Sequence, residues 1–169
     1  MKDKTALLEK AGKIKMVITD IDGVWTDGGL YYTADGLVMK RFQVKDGMGV
    51  HLLRNKGIET AIISGDVSPM GVVRGQRLKV ELIYKDILDK KTVLNEILRL
   101  RNLESENIAY IGDDVNDLDV LRSVGLSASP ADACEEVLNC VDYICRKNGG
   151  QGAFRELADM ILAGQAEEE

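Results

Sequence analysis

Residues that often carry out chemistry are scarce in this chain. His51 is the only histidine, and the three cysteines, Cys134, Cys140 and Cys145, lack the spacing of common zinc sites. A histidine-based metal centre and a Ser-His or Cys-His catalytic pair are therefore nearly excluded. The odd cysteine count favours reduced thiols, and residues 1–12 lack the apolar core of a signal peptide, so we expect a cytoplasmic protein.

Long apolar runs and an excess of positive charge are also missing. No stretch approaches the roughly 20 apolar residues that span a bilayer, and 28 acidic residues against 22 basic ones give a net charge of −6. We therefore expect neither membrane insertion nor nucleic-acid binding. An acidic protein that binds an anionic substrate needs a cation or local lysines and arginines to offset its own field.

Short β-prone runs alternate with amphipathic segments of helical length over most of the chain. This alternation predicts an α/β fold, a Rossmann-like parallel sheet sandwiched by helices. In such a sheet, ligands bind beyond the carboxyl ends of the strands. The predicted strands are residues 13–20, 58–64, 80–84, 107–112, 125–127 and 143–145, and the predicted helices lie near residues 47–56, 68–78, 90–101, 116–123, 131–140 and 152–162.

Residues 28–45 break this alternation. Two β-prone runs flank an Asp-Gly pair, which predicts a small β-hairpin inserted beside the site. The hairpin is either a flap or a subunit contact, and its apolar Tyr31 and Tyr32 favour the subunit contact. The whole chain, residues 1–169, is expected to form a single domain that ends in a flexible tail at 164–169.

Two acidic clusters each follow an apolar run. Asp20 and Asp22 come at the end of the first predicted strand, and Asp113, Asp114 and Asp117 follow the fourth. Because the carboxyl ends of parallel strands meet at one edge of the sheet, we expect the clusters to lie together and to hold a hard divalent cation such as Mg²⁺. In this arrangement Asp113 binds the metal, while Asp114 and Asp117 lie behind it or reach it through water.

The residues at these strand ends, with one lysine, form the set that phosphoryl transfer requires. Asp20 is the predicted nucleophile that attacks phosphorus, and Asp22 is the predicted general acid and base that protonates the leaving oxygen and later activates water. Ser64, after the second strand, and Lys90, at the start of a helix, are predicted to hold the phosphate oxygens. The expected intermediate is an aspartyl-phosphate on Asp20.

Four motifs, in this order, resemble those of the haloacid dehalogenase-like phosphatases. They are Asp-Ile-Asp-Gly-Val at 20–24, Ile-Ser-Gly at 63–65, the helix-opening Lys90, and Gly-Asp-Asp-Val-Asn-Asp at 112–117. Further segments are similar to the capless subfamily of 3-deoxy-D-manno-octulosonate 8-phosphate phosphatases and nonulosonate 9-phosphate phosphatases, and the resemblance covers nearly all of residues 14–163. These segments are residues 25–28, 44–49, 124–127, 130–132 and 149–156.

The resemblance implies a fold without a cap domain and a Mg²⁺ ion bound by Asp20, Asp113 and the main-chain carbonyl of Asp22. It implies a homotetramer in which the hairpins form a central barrel and a neighbouring subunit helps to close the site. The implied reaction removes the terminal phosphate of a 3-deoxy-ulosonic acid in lipopolysaccharide or sialic-acid-like sugar synthesis in a bacterial cytoplasm.

Substrate contacts are expected from Thr26, Gly65, Asp66 and Arg74. Octulosonate phosphatases usually have arginine at the position of Asp66 and at the position of Gln151, whereas nonulosonate phosphatases tend to have an acidic residue at the position of Asp66. The first prediction is the octulosonate 8-phosphate, and the alternative is a KDN or N-acylneuraminate 9-phosphate.

Two other classes of protein use similar residues. A response-regulator receiver also phosphorylates an aspartate, but its acidic pair lies on the first strand and its phosphoacceptor on the third, the inverse of the order here. The other class is a non-catalytic oligomerisation module related to the C-terminal domains of sialic-acid cytidylyltransferases, which residues 130–134 and 143–145 resemble. Every catalytic carboxylate is intact in this chain, which favours an enzyme.

Overall fold

The structure is a computed structural model that describes residues 4–167. The strands are β1 Met16–Thr19, β2 Tyr31–Thr33, β3 Gly36–Met39, β4 Glu59–Ile63, β5 Leu82–Tyr84, β6 Ile108–Ile111, β7 Leu126–Ser129 and β8 Tyr143–Ile144. The helices are α1 Lys4–Gly12, α2 Val44–Asn55, α3 Met70–Arg77, α4 Lys90–Arg101, α5 Leu118–Leu121, α6 Glu135–Leu138 and α7 Ala153–Glu167, with 3-10 turns at Ser105–Asn107 and Val115–Asp117.

Six strands form one parallel sheet in the order β5-β4-β1-β6-β7-β8. β1 lies in the interior of the sheet, where Thr19 pairs with Ile62 of β4 on one side and with Ile111 of β6 on the other. The chain first adds β4 and β5 on one side of β1 and then returns to add β6, β7 and β8 on the other. This reversal places a crevice at the carboxyl ends of β1 and β6, where doubly wound sheets bind ligands. The predicted α/β fold is confirmed.

Both faces of the sheet are buried, which explains the continuous apolar runs of its strands. Side chains alternate along β1, so Val17 joins a core cluster with residues of α2 and α7, whereas Met16 and Ile18 join a cluster with residues of α4 on the opposite face. Phe154 of α7 packs edge-on against Trp25, with ring centroids 5.5 Å apart. The loop that leaves β1 is thereby anchored to the core.

β2 and β3 form the predicted hairpin, which is a separate two-stranded antiparallel sheet. Its large apolar side chains face outward, with Tyr32 65% exposed and Val38 53% exposed. Lys40, which directly follows β3, is only 7% exposed. The hairpin therefore projects from the domain while its base is embedded in it.

The two ends of the chain differ from the prediction. The sequence pattern did not predict α1, because the helix buries only Ala11 and Gly12 and so presents no apolar stripe. Residues 164–167 continue α7 instead of forming a flexible tail, since Gln165 Nε2 donates to the main-chain oxygens of Ala11 (3.2 Å) and Gly12 (2.6 Å). Residues 168–169 of the predicted tail lie outside the described residues. Every helix between residues 4 and 167 is too short or too polar to span a lipid bilayer.

Candidate active site

Asp20 lies at the carboxyl end of β1, in the crevice between β1 and β6. Its main-chain amide still donates to the Ile111 carbonyl (3.1 Å), so the sheet fixes its backbone. Its side chain is buried, with Oδ1 accepting from the Ile21 amide (2.6 Å) and Oδ2 from Lys90 Nζ (2.6 Å). The sheet, the Ile21 amide and Lys90 therefore fix the position of the predicted nucleophile, and a fixed orientation favours attack on a bound substrate.

Lys90 reaches the site from the first residue of α4. Asp89 caps this helix by accepting from the Thr92 amide (3.1 Å), which fixes where α4 begins. The Lys90 ammonium lies between two carboxylates, 2.6 Å from Asp20 Oδ2 and 2.7 Å from Asp117 Oδ1. Lys90 thus connects the loop after β1 with the loop after β6. Its positive charge offsets the free-energy cost of burying the Asp20 and Asp117 carboxylates.

Asp117 is fully buried and fully hydrogen-bonded. Its Oδ1 accepts from Lys90 and from the Tyr110 hydroxyl, and its Oδ2 accepts from the amides of Asp113 (3.0 Å) and Asp114 (3.4 Å). Four donors use the four lone-pair sites of a carboxylate, so Asp117 shapes this loop instead of binding an ion. Asp114 caps the following 3-10 turn through Val115 (2.7 Å). Both residues thus hold the loop that carries Asp113.

The carboxylates of Asp20, Asp113 and Asp117 make a strongly negative cluster, with oxygens within 4.8 Å of one another. Burial, together with the charges of Asp20 and Asp117, raises the pKa of Asp113 to about 8. Burial also raises the pKa of Asp20 to about 6, although Lys90 opposes the shift. Within residues 4–167 the Asp113 carboxylate accepts no hydrogen bond, so its oxygens are open to a ligand.

A hard divalent cation fits this cluster. When all three carboxyl groups are ionised, they and the one lysine sum to a charge of −2, and carboxylate oxygens are the donors that Mg²⁺ prefers. Because the oxygens of Asp117 are already occupied by donors, Asp20 and Asp113 are the candidate side-chain ligands.

Glycines allow the loops around this cluster to pack against each other. A Cβ at Gly23 would lie 1.9 Å from Asp113 Oδ2, and a Cβ at Gly149 would lie 1.9 Å from the Gly23 carbonyl oxygen. Gly23 also has a φ of +75°, which disfavours a side chain. The Gly149 amide donates to Asp132 Oδ1 (2.9 Å), which holds this loop in place. The glycines that follow β8 therefore support the loop that follows β1.

Asp22 lies at the edge of the site and is held by a lysine that the sequence did not single out. Lys40 Nζ donates to both oxygens of Asp22 (2.8 and 2.7 Å) and to Asp66 Oδ2 (2.6 Å). Burial alone would lower the pKa of Lys40, but its hydrogen bonds to Asp22 and Asp66 raise it above the ordinary value. Lys40 is therefore a charged, buried link between the hairpin and the two acidic positions.

A cleft of about 420 Å³ opens over these residues. Ser64 and Gly65 line it, and Ser64 Oγ accepts from the Asp66 amide (3.1 Å). Asp66 also lines it, but its carboxylate already accepts from Lys40 and from the amide and hydroxyl of Ser68. The cleft is lined by Asp20, Asp22, Gly28, Leu30, Tyr32, Leu37, Lys40, Ser64, Gly65, Asp66, Ile87, Leu88 and Asn116.

Two expected substrate contacts do not reach this cleft. Thr26 is completely buried, and its hydroxyl donates to Asp22 Oδ1 (3.3 Å) and accepts from the Gly28 amide (3.2 Å). Arg74 Nη2 faces the start of α2, 3.5 Å from the Gln43 carbonyl oxygen. Thr26 therefore holds the Asp22 side chain through a hydrogen bond and does not line the cleft. The Arg74 side chain extends toward α2, so its position in this chain does not support a contact with the substrate.

A doubly wound sheet that brings two acidic loops and a helix-borne lysine to one edge defines a Rossmann-like phosphoryl-transfer enzyme. Residues 54–157 match the haloacid dehalogenase-like hydrolase family. The chain belongs to this family.

Individual relatives extend the match over nearly the whole chain. A 3-deoxy-D-manno-octulosonate 8-phosphate phosphatase of Haemophilus influenzae is 42% identical over 93% of this chain and 87% of its own. The enzyme of the same name from Escherichia coli K12 is 36% identical over 94% and 85%. The crystal structure of the Moraxella catarrhalis enzyme with magnesium ion, phosphate ion and KDO superposes with a TM-score of 0.92 at 37% identity, over 95% of this chain and 92% of that one.

Proposed function

We propose that this chain is a Mg²⁺-dependent phosphatase that hydrolyses the terminal phosphate of 3-deoxy-D-manno-octulosonate 8-phosphate. The observation that carries the proposal is the Asp20–Lys90–Asp113 arrangement at the carboxyl end of β1. The two relatives named above for that activity are 42% and 36% identical over more than nine-tenths of this chain. Intact Asp22 and Asp113 favour turnover over a non-catalytic module.

Asp20 is the proposed nucleophile. One of its oxygens attacks phosphorus to form an aspartyl-phosphate, while the bond to the sugar oxygen breaks. Asp22 donates a proton to that leaving oxygen and afterwards takes a proton from the water that hydrolyses the intermediate. Lys90 and Ser64 are the proposed groups that stabilise the phosphoryl oxygens. The supporting observations are that Lys90 Nζ lies 2.6 Å from Asp20 Oδ2 and that Ser64 lines the cleft.

Asp20, Asp113 and, by resemblance to the family, the main-chain carbonyl of Asp22 would hold the Mg²⁺ ion. When bound, the ion neutralises the phosphate so that a carboxylate can approach it. Asp114 and Asp117 order the loop that presents Asp113.

The 8-carbon sugar acid is favoured because the relatives reported above are named for it. Asp66 and Gln151 favour the alternative, a KDN or N-acylneuraminate 9-phosphate, because octulosonate phosphatases usually have arginine at both positions. Gly65 and Asp66 line the cleft and are the proposed contacts to the sugar.

A kinetic comparison of the two sugar phosphates tests the proposal. We expect Mg²⁺-dependent release of phosphate with a higher kcat/KM on the octulosonate 8-phosphate, and a reversed preference would support the 9-phosphate instead. No release from either compound by the wild-type chain, under conditions where Mg²⁺ is in excess, would refute the phosphatase assignment.

We further propose a homotetramer in the bacterial cytoplasm, acting in lipopolysaccharide synthesis. The exposed apolar residues of the hairpin, among them Tyr32, Val38 and Met39, support a subunit contact there. Sedimentation of the wild-type chain beside a Val38→Lys variant tests this: the variant should dissociate, and an unchanged tetramer would exclude the hairpin as the contact.

A further inference from the structure

Lys40 belongs to the hairpin segment, and its ammonium contacts two acidic residues that line the cleft. The Lys40 side chain is 1% exposed, although it directly follows β3, whose residues Val38 and Met39 are half exposed. Its ammonium has three N–H donors, and the three carboxylate oxygens within 2.8 Å of it belong to Asp22 and Asp66. The buried Lys40 ammonium thus connects the hairpin to Asp22 and Asp66.

The contact with Asp22 is close and involves both carboxylate oxygens. In addition to Lys40, at 2.7 and 2.8 Å, Asp22 is held by the Thr26 hydroxyl, at the longer distance of 3.3 Å. The Asp22 side chain remains one-third exposed toward the cleft. Lys40 therefore determines the direction in which the Asp22 carboxyl faces, while leaving it accessible to a bound molecule.

Asp66 anchors the lysine from the opposite side. The Asp66 carboxylate accepts from Lys40 (2.6 Å), from the Ser68 amide (3.0 Å) and from the Ser68 hydroxyl, so the loop after β4 fixes its position. A lysine anchored in this way is fixed to the domain, although the hairpin that it follows projects from it. Asp66 and Lys40 together form a support for Asp22.

We propose that Lys40 is a positioning residue for proton transfer, acting through Asp22, which rests on the phosphatase function proposed above. As the phosphorus–oxygen bond to the sugar breaks, the proton of the Asp22 carboxyl moves to the leaving oxygen. Lys40 keeps its own proton throughout and holds the carboxyl toward that oxygen. Its contribution is then large only when the leaving group needs a proton.

Two substrates that differ in their leaving groups test this role. An alkoxide leaving from a sugar phosphate needs a proton, whereas p-nitrophenyl phosphate releases a stable phenolate that does not. For Lys40→Met we expect kcat/KM on the sugar phosphate to fall by about 10²-fold or more, and kcat/KM on p-nitrophenyl phosphate to fall by less than about threefold. Asp22→Asn should give the same pattern.

Arg41→Met is the matched control, because Arg41 is the adjacent cation and pairs with Asp27 at the surface (3.2 Å). It should leave both kcat/KM values close to those of the wild-type chain. Combining Lys40→Met with Asp22→Asn should add little to the loss from Asp22→Asn alone, because the lysine acts through that carboxyl.

Equal losses on both substrates, or no loss on either, would overturn the positioning role. Lys40→Gln is a second variant, which can still donate hydrogen bonds through its amide but carries no charge. If neither variant folds, the role of Lys40 is structural and the inference is wrong. The wild-type chain separates the two proposals: if it hydrolyses neither substrate the phosphatase function fails, whereas an active wild type with equal losses in Lys40→Met refutes only the role of Lys40.

Discussion

Asp46 offers a quantitative test of the electrostatics that support the site. It is a buried residue of α2, and its Oδ1 accepts from the Arg155 amide (2.9 Å) at the start of α7. Its Oδ2 has no hydrogen-bond partner within residues 4–167. The helix that it caps follows the glycine loop that supports Gly23. We therefore choose Asp46→Asn, which keeps an acceptor oxygen for the cap and removes the buried charge.

Burial raises the pKa of Asp46 from 3.8 to about 6, and the Arg155 amide and the charges of Arg74 and Arg155 only partly oppose it. The folded state then binds this proton more tightly than the unfolded state. The ionised Asp46 carboxylate therefore lowers the free energy of unfolding above pH 6, and this destabilisation disappears as the pH falls toward 3.8. Between about pH 7 and about pH 4.5, linkage gives a relative gain in the free energy of unfolding of about 2 kcal/mol. Asp46→Asn should lack this gain.

Urea denaturation of both proteins at the two pH values measures the difference. Comparing the variant with the wild-type chain cancels the contributions of the other carboxylates, including Asp20 and Asp113. Asp159→Asn, an exposed carboxylate on α7 that pairs with Arg155, is the control and should follow the wild-type pH dependence. If the unfolding free energies of wild type and Asp46→Asn change in parallel with pH, Asp46 has an ordinary pKa and the reasoning is refuted.

Four further changes concern the residues proposed to bind the metal and the phosphate. Asp20→Asn should abolish turnover and leave the fold intact, and retained phosphate release would remove Asp20 as the nucleophile. Lys90→Met leaves Asp20 and Asp117 buried without their shared cation, so urea denaturation should show a loss of about 3–5 kcal/mol. Gly23→Ala places a Cβ 1.9 Å from Asp113 Oδ2, so the Mg²⁺ concentration for half-maximal activity should rise about tenfold or more; an unchanged requirement would argue against Asp113 as a ligand. Mg²⁺ should raise the melting temperature of the wild-type chain but not that of Asp113→Asn.

The carboxyl edge of the sheet could be predicted because its signals are local. β1 and β6 are short apolar runs that stop at carboxylates, and parallel strands bring such ends together whatever the rest of the chain does. α4 has the predicted bounds, Lys90–Arg101, because Asp89 caps its start and Asn102 ends it in a left-handed conformation with φ of 52°. Signals of this kind depend on residues that are close together in the sequence, so the tertiary fold does not alter them.

Lys40 and Asp46 could not be found in this way. Lys40 lies 18 residues after Asp22 and 26 before Asp66, in a segment whose pattern is that of an exposed hairpin. Asp46 is separated by 109 residues from the amide that it caps. A lysine after a strand and an aspartate in the first turn of a helix are usually solvated, and only the tertiary fold buries these two.

The distribution of charge divides the site into two halves with different tasks. Lys90 lies between Asp20 and Asp117, and with Asp113 ionised this half carries −2, the charge that one Mg²⁺ ion neutralises. Lys40 lies between Asp22 and a second carboxylate, and this half carries only −1, with all three donors of the lysine already used. A half of this kind is poorly suited to a second divalent ion, but its oxygens can accept from the neutral hydroxyl groups of a sugar. In the proposed mechanism, two aspartates separated by one residue therefore act at opposite ends of the scissile bond, Asp20 at the phosphorus and Asp22 at the sugar oxygen. We expect inorganic phosphate to bind only beside Asp20, Lys90 and Asp113, so its inhibition constant should be nearly the same in wild type and Lys40→Met; a clearly weaker inhibition of the variant would contradict this division.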